Sequence, residues 1–179
     1  MSPPASSREM IIDAAEAVVV ESGAKHMTLD AVAARAGVSK GGLLYHLPAK
    51  EALLKAMQER FIRQMDETRK KKAKGLKEGP SREIKAFILS VADRDPKKEQ
   101  IGSALLAAIA HDPGVLQPVR DDFRRRMTEF AQSGLNFKHA AVIVFAVYGL
   151  VFSELLSLSH LSIKERNDLI EELLRLADG

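Results

Sequence analysis

The 179-residue chain contains no cysteine. That excludes a disulfide framework and any thiolate metal site, and a reducing cytoplasm is the simplest home for such a chain. Strand patterning is missing too, since no stretch alternates convincingly between apolar and polar residues. Catalytic signatures are equally scarce. The five histidines, His26, His46, His111, His139 and His160, include no pair four residues apart with a glutamate between them, so the zinc-hydrolase arrangement fails. No glycine-rich phosphate loop, nucleophile elbow or triad stands out. The expectation is no catalytic residues, no metal and no cofactor. The opening MSPPASSREM has no basic segment followed by an apolar one, so no secretion signal is expected. The chain is 46% hydrophobic and 28% charged, with a net charge of +3. This is the composition of a soluble globular protein, long enough to bury a core as one domain or two.

The most informative stretch is Met27 to Lys50, MTLDAVAARAGVSKGGLLYHLPAK. Thr28 is a good N-cap, and Leu29, Val32, Ala33 and Ala36 then recur at helical spacing. Gly37 stands where a helix closes with a left-handed residue. Ser39 can cap a second helix from Lys40 to Leu47, and Pro48 stops it. Two short helices joined by a tight turn make a helix-turn-helix. The second helix is unusual because Gly41 and Gly42 each cost roughly 1 kcal/mol against alanine. A helix that only packs would rarely carry both. One laid against another surface gains from bare Cα positions, and Lys40, Tyr45 and His46 beside them can donate to phosphates or base edges.

The rest of the chain reads as helix after helix. Ser6 and Glu9 suggest a capping box ahead of a helix carrying Ile11, Ile12, Ala15, Val18 and Val19, which stops at Gly23. Pro48 is expected as the first residue of a long fourth helix with an apolar stripe through Leu53, Met57, Phe61 and Met65. The basic run from Arg69 to Lys77 is expected to be a solvated helix end. Ser81 is expected to cap the next helix, and Arg120, Arg124, Arg125 and Arg126 to line the outer side of a later one. Residues 140–158 are the most apolar run. A membrane span is disfavoured by Glu154 within it, so a helix buried on every side is expected. Ser162 and Glu165 form a second capping box before a last helix with Leu169, Leu173 and Leu174.

The run from Ala36 to Gly42, together with Thr28, Ala33, Tyr45-His46, Pro48-Ala49-Lys50-Glu51 and Leu53-Leu54, resembles the DNA-binding head of the TetR family of bacterial transcriptional regulators. The family usually carries Tyr where Leu44 stands and an aromatic where Leu47 stands; here the tyrosine falls one place later, at Tyr45.

The resemblance implies an all-α fold: an N-terminal three-helix head with the helix-turn-helix (residues 6–52), joined by a long fourth helix to a C-terminal bundle for ligand binding and dimerisation (53–179). It implies a homodimer that binds a double-stranded, near-palindromic DNA operator, most simply as a repressor released by a small apolar inducer. The expected DNA-binding residues are Thr28, Ser39, Lys40, Gly41, Gly42, Tyr45, His46 and Lys50. Candidates for an inducer pocket, chosen by residue type in the bundle, are Met65, Phe87, His111, Phe123, Met127, Tyr148 and Phe152. Val151, Leu155, Leu169 and Leu173 are expected at the dimer interface. The head is slightly acidic by count, with Glu9, Asp13, Glu16, Glu21 and Asp30 against Arg8, Lys25, Arg35 and Lys40. The acids of the first helix should therefore face away from DNA. A rival of another class is a helical lipid- or metabolite-binding protein whose helix-turn-helix is purely structural.

Overall fold

The computed structural model describes residues 6–109 and 113–178. Among them the chain is helical, with no strand: α1 (Ser7–Ser22), α2 (Leu29–Ala36), α3 (Lys40–His46), α4 (Lys50–Ala73), α5 (Arg82–Ser90), α6 (Pro96–Ile109), α7 (Gln117–Gln132), α8 (Phe137–Leu155) and α9 (Ile163–Leu176). The all-α expectation holds. Several ends follow the capping chemistry. Ser6 Oγ accepts from the Glu9 N–H at 3.3 Å, and Ser162 and Glu165 complete a reciprocal capping box. Two expected starts differ. Ser81 sits in helical backbone and makes no side-chain cap, while the Arg82 N–H is met by the Gly79 carbonyl. Pro48 lies ahead of α4, which starts at Lys50.

The chain divides into two compact units, Met1–Phe61 with Pro96–Pro118, and Ile62–Asp95 with Val119–Gly179. The division expected after residue 52 thus moves to the middle of α4, and α6 joins the first unit. The cause is packing: Ile101 and Leu105 of α6 are buried in the same cluster as Ile11, Ile12, Ala15, Val32, Leu43, Leu53 and Met57. Three of the four acids of α1 gather round one cation. Arg60 pairs with Asp13, and lies 3.5 Å from Glu16 and 3.6 Å from Glu9. Burial raises the Glu16 carboxyl pKa, against the pull of Arg60 and Lys97.

The second unit closes around Ile84, Phe87, Ile88, Phe130, Ile143, Val144, Val147, Ile170 and Leu173. Arg166 ties it together, donating to Glu154 at 2.6 Å and to the carbonyls of Ala92 and Val91 at 2.6 and 2.7 Å. The lone acid of the apolar run is therefore half of an ion pair. The basic run is only partly a solvated end. Lys71, Lys74 and Lys77 are exposed, but Arg69 is buried and bonds Asp66 and Glu83, and Lys72 reaches Asp93 at 2.6 Å. Arg126 also departs from its expected outward place. It is 3% exposed, bonded through Nε to Asp122 at 2.7 Å. It stands three residues after Phe123 and four before the buried Phe130, at the margin of the inward face, where Asp122 and Asp66 meet its guanidinium.

α8 is not buried on every side. Ala140, Ile143, Val144, Val147 and Leu150 are in the core, whereas Val142, Phe145, Phe152 and, just past the helix, Leu156 are exposed. Gly149 completes that outward stripe, at spacings of three and four. α9 behaves oppositely, turning Ile170 and Leu173 inward and leaving Asp168, Glu171, Glu172 and Arg175 in solvent. Leu173, 2% exposed, is unavailable to a partner subunit, while Val151, Leu155 and Leu169 are half-buried.

Two outcomes follow. Leu173→Glu puts a charge into the second core, so it should lower thermal stability sharply rather than yield folded monomers; a folded, fully stable variant would contradict this placement. Asp66 is pushed up by burial, but hydrogen bonds from Lys70 and Arg69 and the charges of Arg69 and Arg125 hold its carboxyl at about 2, below 3.8. A depressed carboxylate stabilises the fold above its unfolded pKa and ceases to as pH falls through the folded one. The Asp66 contribution, about 2 kcal/mol, should be whole above pH ~5 and fade towards pH ~2. Urea unfolding of wild type and Asp66→Asn should converge on acidification; a gap independent of pH would contradict it.

Candidate nucleic-acid interface

The geometry begins at Thr28, whose Oγ1 accepts from the Ala31 N–H at 3.2 Å and starts α2. Gly37 ends that helix at φ 68°, ψ 26°, and the Val38 N–H returns to the Ala33 carbonyl at 3.1 Å. This left-handed closure is cheap only for glycine. It turns the chain tightly enough for Ser39 to cap α3, its Oγ accepting from the Gly42 N–H at 3.0 Å.

α3 is held by one side. Leu43 is wholly buried in the first unit's core, Leu47 just beyond the helix is buried too, and Leu44 packs against the same cluster. Lys40, Gly41, Tyr45 and His46 are left on the outer surface. Tyr45 is 86% exposed, its ring edge-on to His46 at 5.1 Å. Leu44 thus takes the inward role and Tyr45 the outward one. Lys50, in the first turn of α4, is exposed, as are Thr28 and Ser39. Seven of the eight expected interface residues are exposed, and Gly42 is half-exposed.

The two glycines have different reasons to be there. A Cβ on Gly42 would come within 3.3 Å of the Ser39 cap hydroxyl. A Cβ on Gly41 would meet only ordinary contact, Ser39 Oγ at 3.9 Å. Nothing within the chain therefore requires glycine at position 41.

Charge on this surface is locally paired. Lys40 Nζ lies 3.0 Å from the Asp30 carboxylate, and Arg35 donates to Glu21 at 2.8 Å. Asp30 is the functional neighbour that reading the sequence missed. The two residues are ten apart, and only the crossing of α2 and α3 brings them together. The pair is exposed, so it contributes little to stability and is easily exchanged.

In the second unit, Phe87, Phe123, Met127, Tyr148 and Met65 do come together, but packed on one another. Phe87 and Tyr148 have ring centroids 5.8 Å apart, and Phe123 and Tyr148 5.5 Å. Phe152 stacks on Tyr148 at 6.0 Å from a half-open position. His111 lies outside the described residues. A separate cleft of about 460 Å³ is lined by Arg94, Glu154, Ser157, Ser159, Arg166 and Asn167, among others. No cluster of three metal-ligating side chains occurs among the described residues.

Comparison with known proteins agrees with this geometry. Residues 11–57 match the family model described as bacterial regulatory proteins, tetR family. Residues 81–178 match that of the tetracyclin repressor-like C-terminal domain. A search of curated proteins finds no match. Among solved structures, a transcriptional regulator from Rhodococcus sp. Rha1 is similar at a TM-score of 0.77 and 19% identity, covering 96% of each chain. A TetR family transcriptional regulator from Pseudomonas syringae pv. tomato DC3000 gives 0.66 and 19%, over 95% of this chain and 94% of that one. The multidrug binding protein EbrR, complexed with imidazole, gives 0.73 and 19%, over 97% of this chain and 96% of that one. At such identities the structures speak for the fold, while the two family models span the head and most of the second unit. The chain belongs to the TetR family of bacterial transcriptional regulators, and it is a DNA-binding regulator rather than an enzyme.

Proposed function

We propose that the protein is a cytoplasmic, homodimeric repressor that leaves a near-palindromic operator when a small, mainly apolar inducer occupies its second unit. The observation that carries the DNA part is the outward face of α3, where Lys40, Gly41, Tyr45 and His46 stand clear of their own core. Lys40 is the residue for a base edge or a nearby phosphate. Tyr45, His46, Lys50 and Thr28 position the backbone, with Tyr45 in the part the family gives to the preceding position. Gly41, with no internal reason for lacking a Cβ, lets the helix backbone approach the duplex.

The pairing of subunits is assigned to α8. Its stripe of Val142, Phe145, Gly149, Phe152 and Leu156 is apolar and exposed, while the outward face of α9 is charged. Two heads so paired would meet half-sites about one helical turn, roughly 34 Å, apart. α4 belongs to both units, so a ligand that shifts its second half would move the head as well. Coupling of this kind is typically about 1–3 kcal/mol.

Genomic fragments selected by the purified protein should share a near-palindromic sequence. Selection of no common sequence would favour an apolar-ligand carrier with a structural helix-turn-helix. Lys40→Glu should abolish binding to the selected fragment at ~0.15 M salt while preserving fold and dimer, since it adds repulsion at the phosphate surface; unchanged gel-shift affinity would contradict the assignment. Gly41→Ala should split two readouts. Urea stability should rise by about 0.5–1 kcal/mol, whereas DNA affinity should fall. A rise in both would remove the close-approach role. Phe145→Glu should give folded monomers in sedimentation, and a dimer unaffected by it would displace the interface from α8.

A further inference from the structure

The second unit contains a buried donor that its own ion pairs leave over. α7 carries three successive arginines, and the first two, Arg124 and Arg125, reach solvent. Arg126 turns inward instead. Its Nε donates to Asp122 at 2.7 Å and its Nη2 lies 3.9 Å from Asp66. Those two contacts explain a structural arginine that links α7 to the second half of α4. They do not use Nη1, which is buried without an acceptor of hydrogen-bond geometry. An unmet donor on a buried charged group is costly, and an added acceptor there would be well rewarded.

What surrounds that donor is aromatic. The guanidinium carbon sits 5.2 Å from the Phe87 ring centroid. The Tyr148 phenol has its pKa raised by burial, against the neighbouring Arg126 charge and a side-chain hydrogen-bond contact with Arg126. Phe123 packs on Tyr148, and beyond it Phe145 and Phe152 carry the cluster to the surface, 64% and 40% exposed. Met127, half-buried at the margin, can repack around an added ring. Apolar walls with one fixed polar group are how small-molecule sites orient a ligand.

We propose that Arg126 is the polar handle of the effector site: Nη1 donates to one carbonyl or carboxylate oxygen of an aromatic ligand whose ring lies among Phe87, Phe123 and Tyr148. This rests on the reading, given above, that the second unit holds the inducer, and it narrows the class of inducer. Organic cations are disfavoured, because the Arg126 charge already occupies the Phe87 face where a cation would stack.

The test is titration of the full-length protein with four fluorescent probes of one size: 2-naphthoate, 2-acetonaphthone, naphthalene and 2-naphthylmethylammonium. Both oxygen-bearing probes should bind about tenfold or more tighter than naphthalene, as one charge-assisted hydrogen bond allows, and the ammonium weakest. Arg126→Met should reduce the first two to the naphthalene level and leave naphthalene itself unchanged; Arg126→Lys should keep part of the advantage. Preference for naphthoate over acetonaphthone would mark the natural ligand as an acid, and parity as a neutral carbonyl compound. If Arg126→Met fails to fold, the wild-type ratio of acetonaphthone to naphthalene still decides. Equal binding of naphthalene and naphthoate, or an advantage that survives Arg126→Met, overturns the role of Arg126 while leaving an apolar ligand unit standing. Binding of no probe, naphthalene included, overturns both.

Discussion

Burial of Leu43 against the α1 core decides how the recognition helix faces. α3 has seven residues, too short to be stable by itself, so its orientation comes from packing rather than propensity. With Leu43 at zero exposure and Leu44 and Leu47 leaning on the same cluster, the helix can present only its other side. That side holds Lys40, Gly41, Tyr45 and His46. Moving the anchor by one residue would rotate the helix by about 100° and carry Lys40 and Tyr45 off the outer surface. Gly37 and the Ser39 cap serve the same end, since they set the angle at which the anchor meets α1.

Electrostatics in the first unit follow from the same arrangement. A head with more acids than bases by count can still approach DNA, because Glu9, Asp13 and Glu16 surround Arg60 and Glu21 faces Arg35. Asp30 is the exception that matters. It holds Lys40 within the reading surface, so contact with DNA exchanges one anion for another. The second unit divides its labour between helices: α9 closes the core, and α8 shares its apolar surface between that core and the outside.

Much of this was legible in the sequence. The helix-turn-helix was readable because it depends on local chemistry: a capping threonine, a left-handed glycine, a capping serine and a leucine at the right distance. The capping box at Ser162 and the stop at Gly23 were readable for the same reason. What escaped detection depends on distant residues. α6 joining the first unit is decided by Ile101 and Leu105 finding α1, which no spacing within α6 announces. Arg126 looked like an outer residue of a basic run, although it stands beside the stripe of Phe123 and Phe130, and the acids Asp122 and Asp66 that receive it there are not announced by the basic run. Leu173 and Phe145 show the limit of reading apolar residues by period. Both lie on apolar stripes, yet one is core and the other open surface, and the difference lies in which neighbour each stripe meets.

The central claim is that the outward face of α3 enters the major groove twice. Methylation interference on a fragment selected by the protein tests it without altering the chain, because methylation of guanine N7 blocks the major groove and that of adenine N3 the minor. The account predicts interference at guanine N7 in two clusters about one helical turn apart. Interference confined to adenine N3, or binding indifferent to N7 methylation, would contradict it.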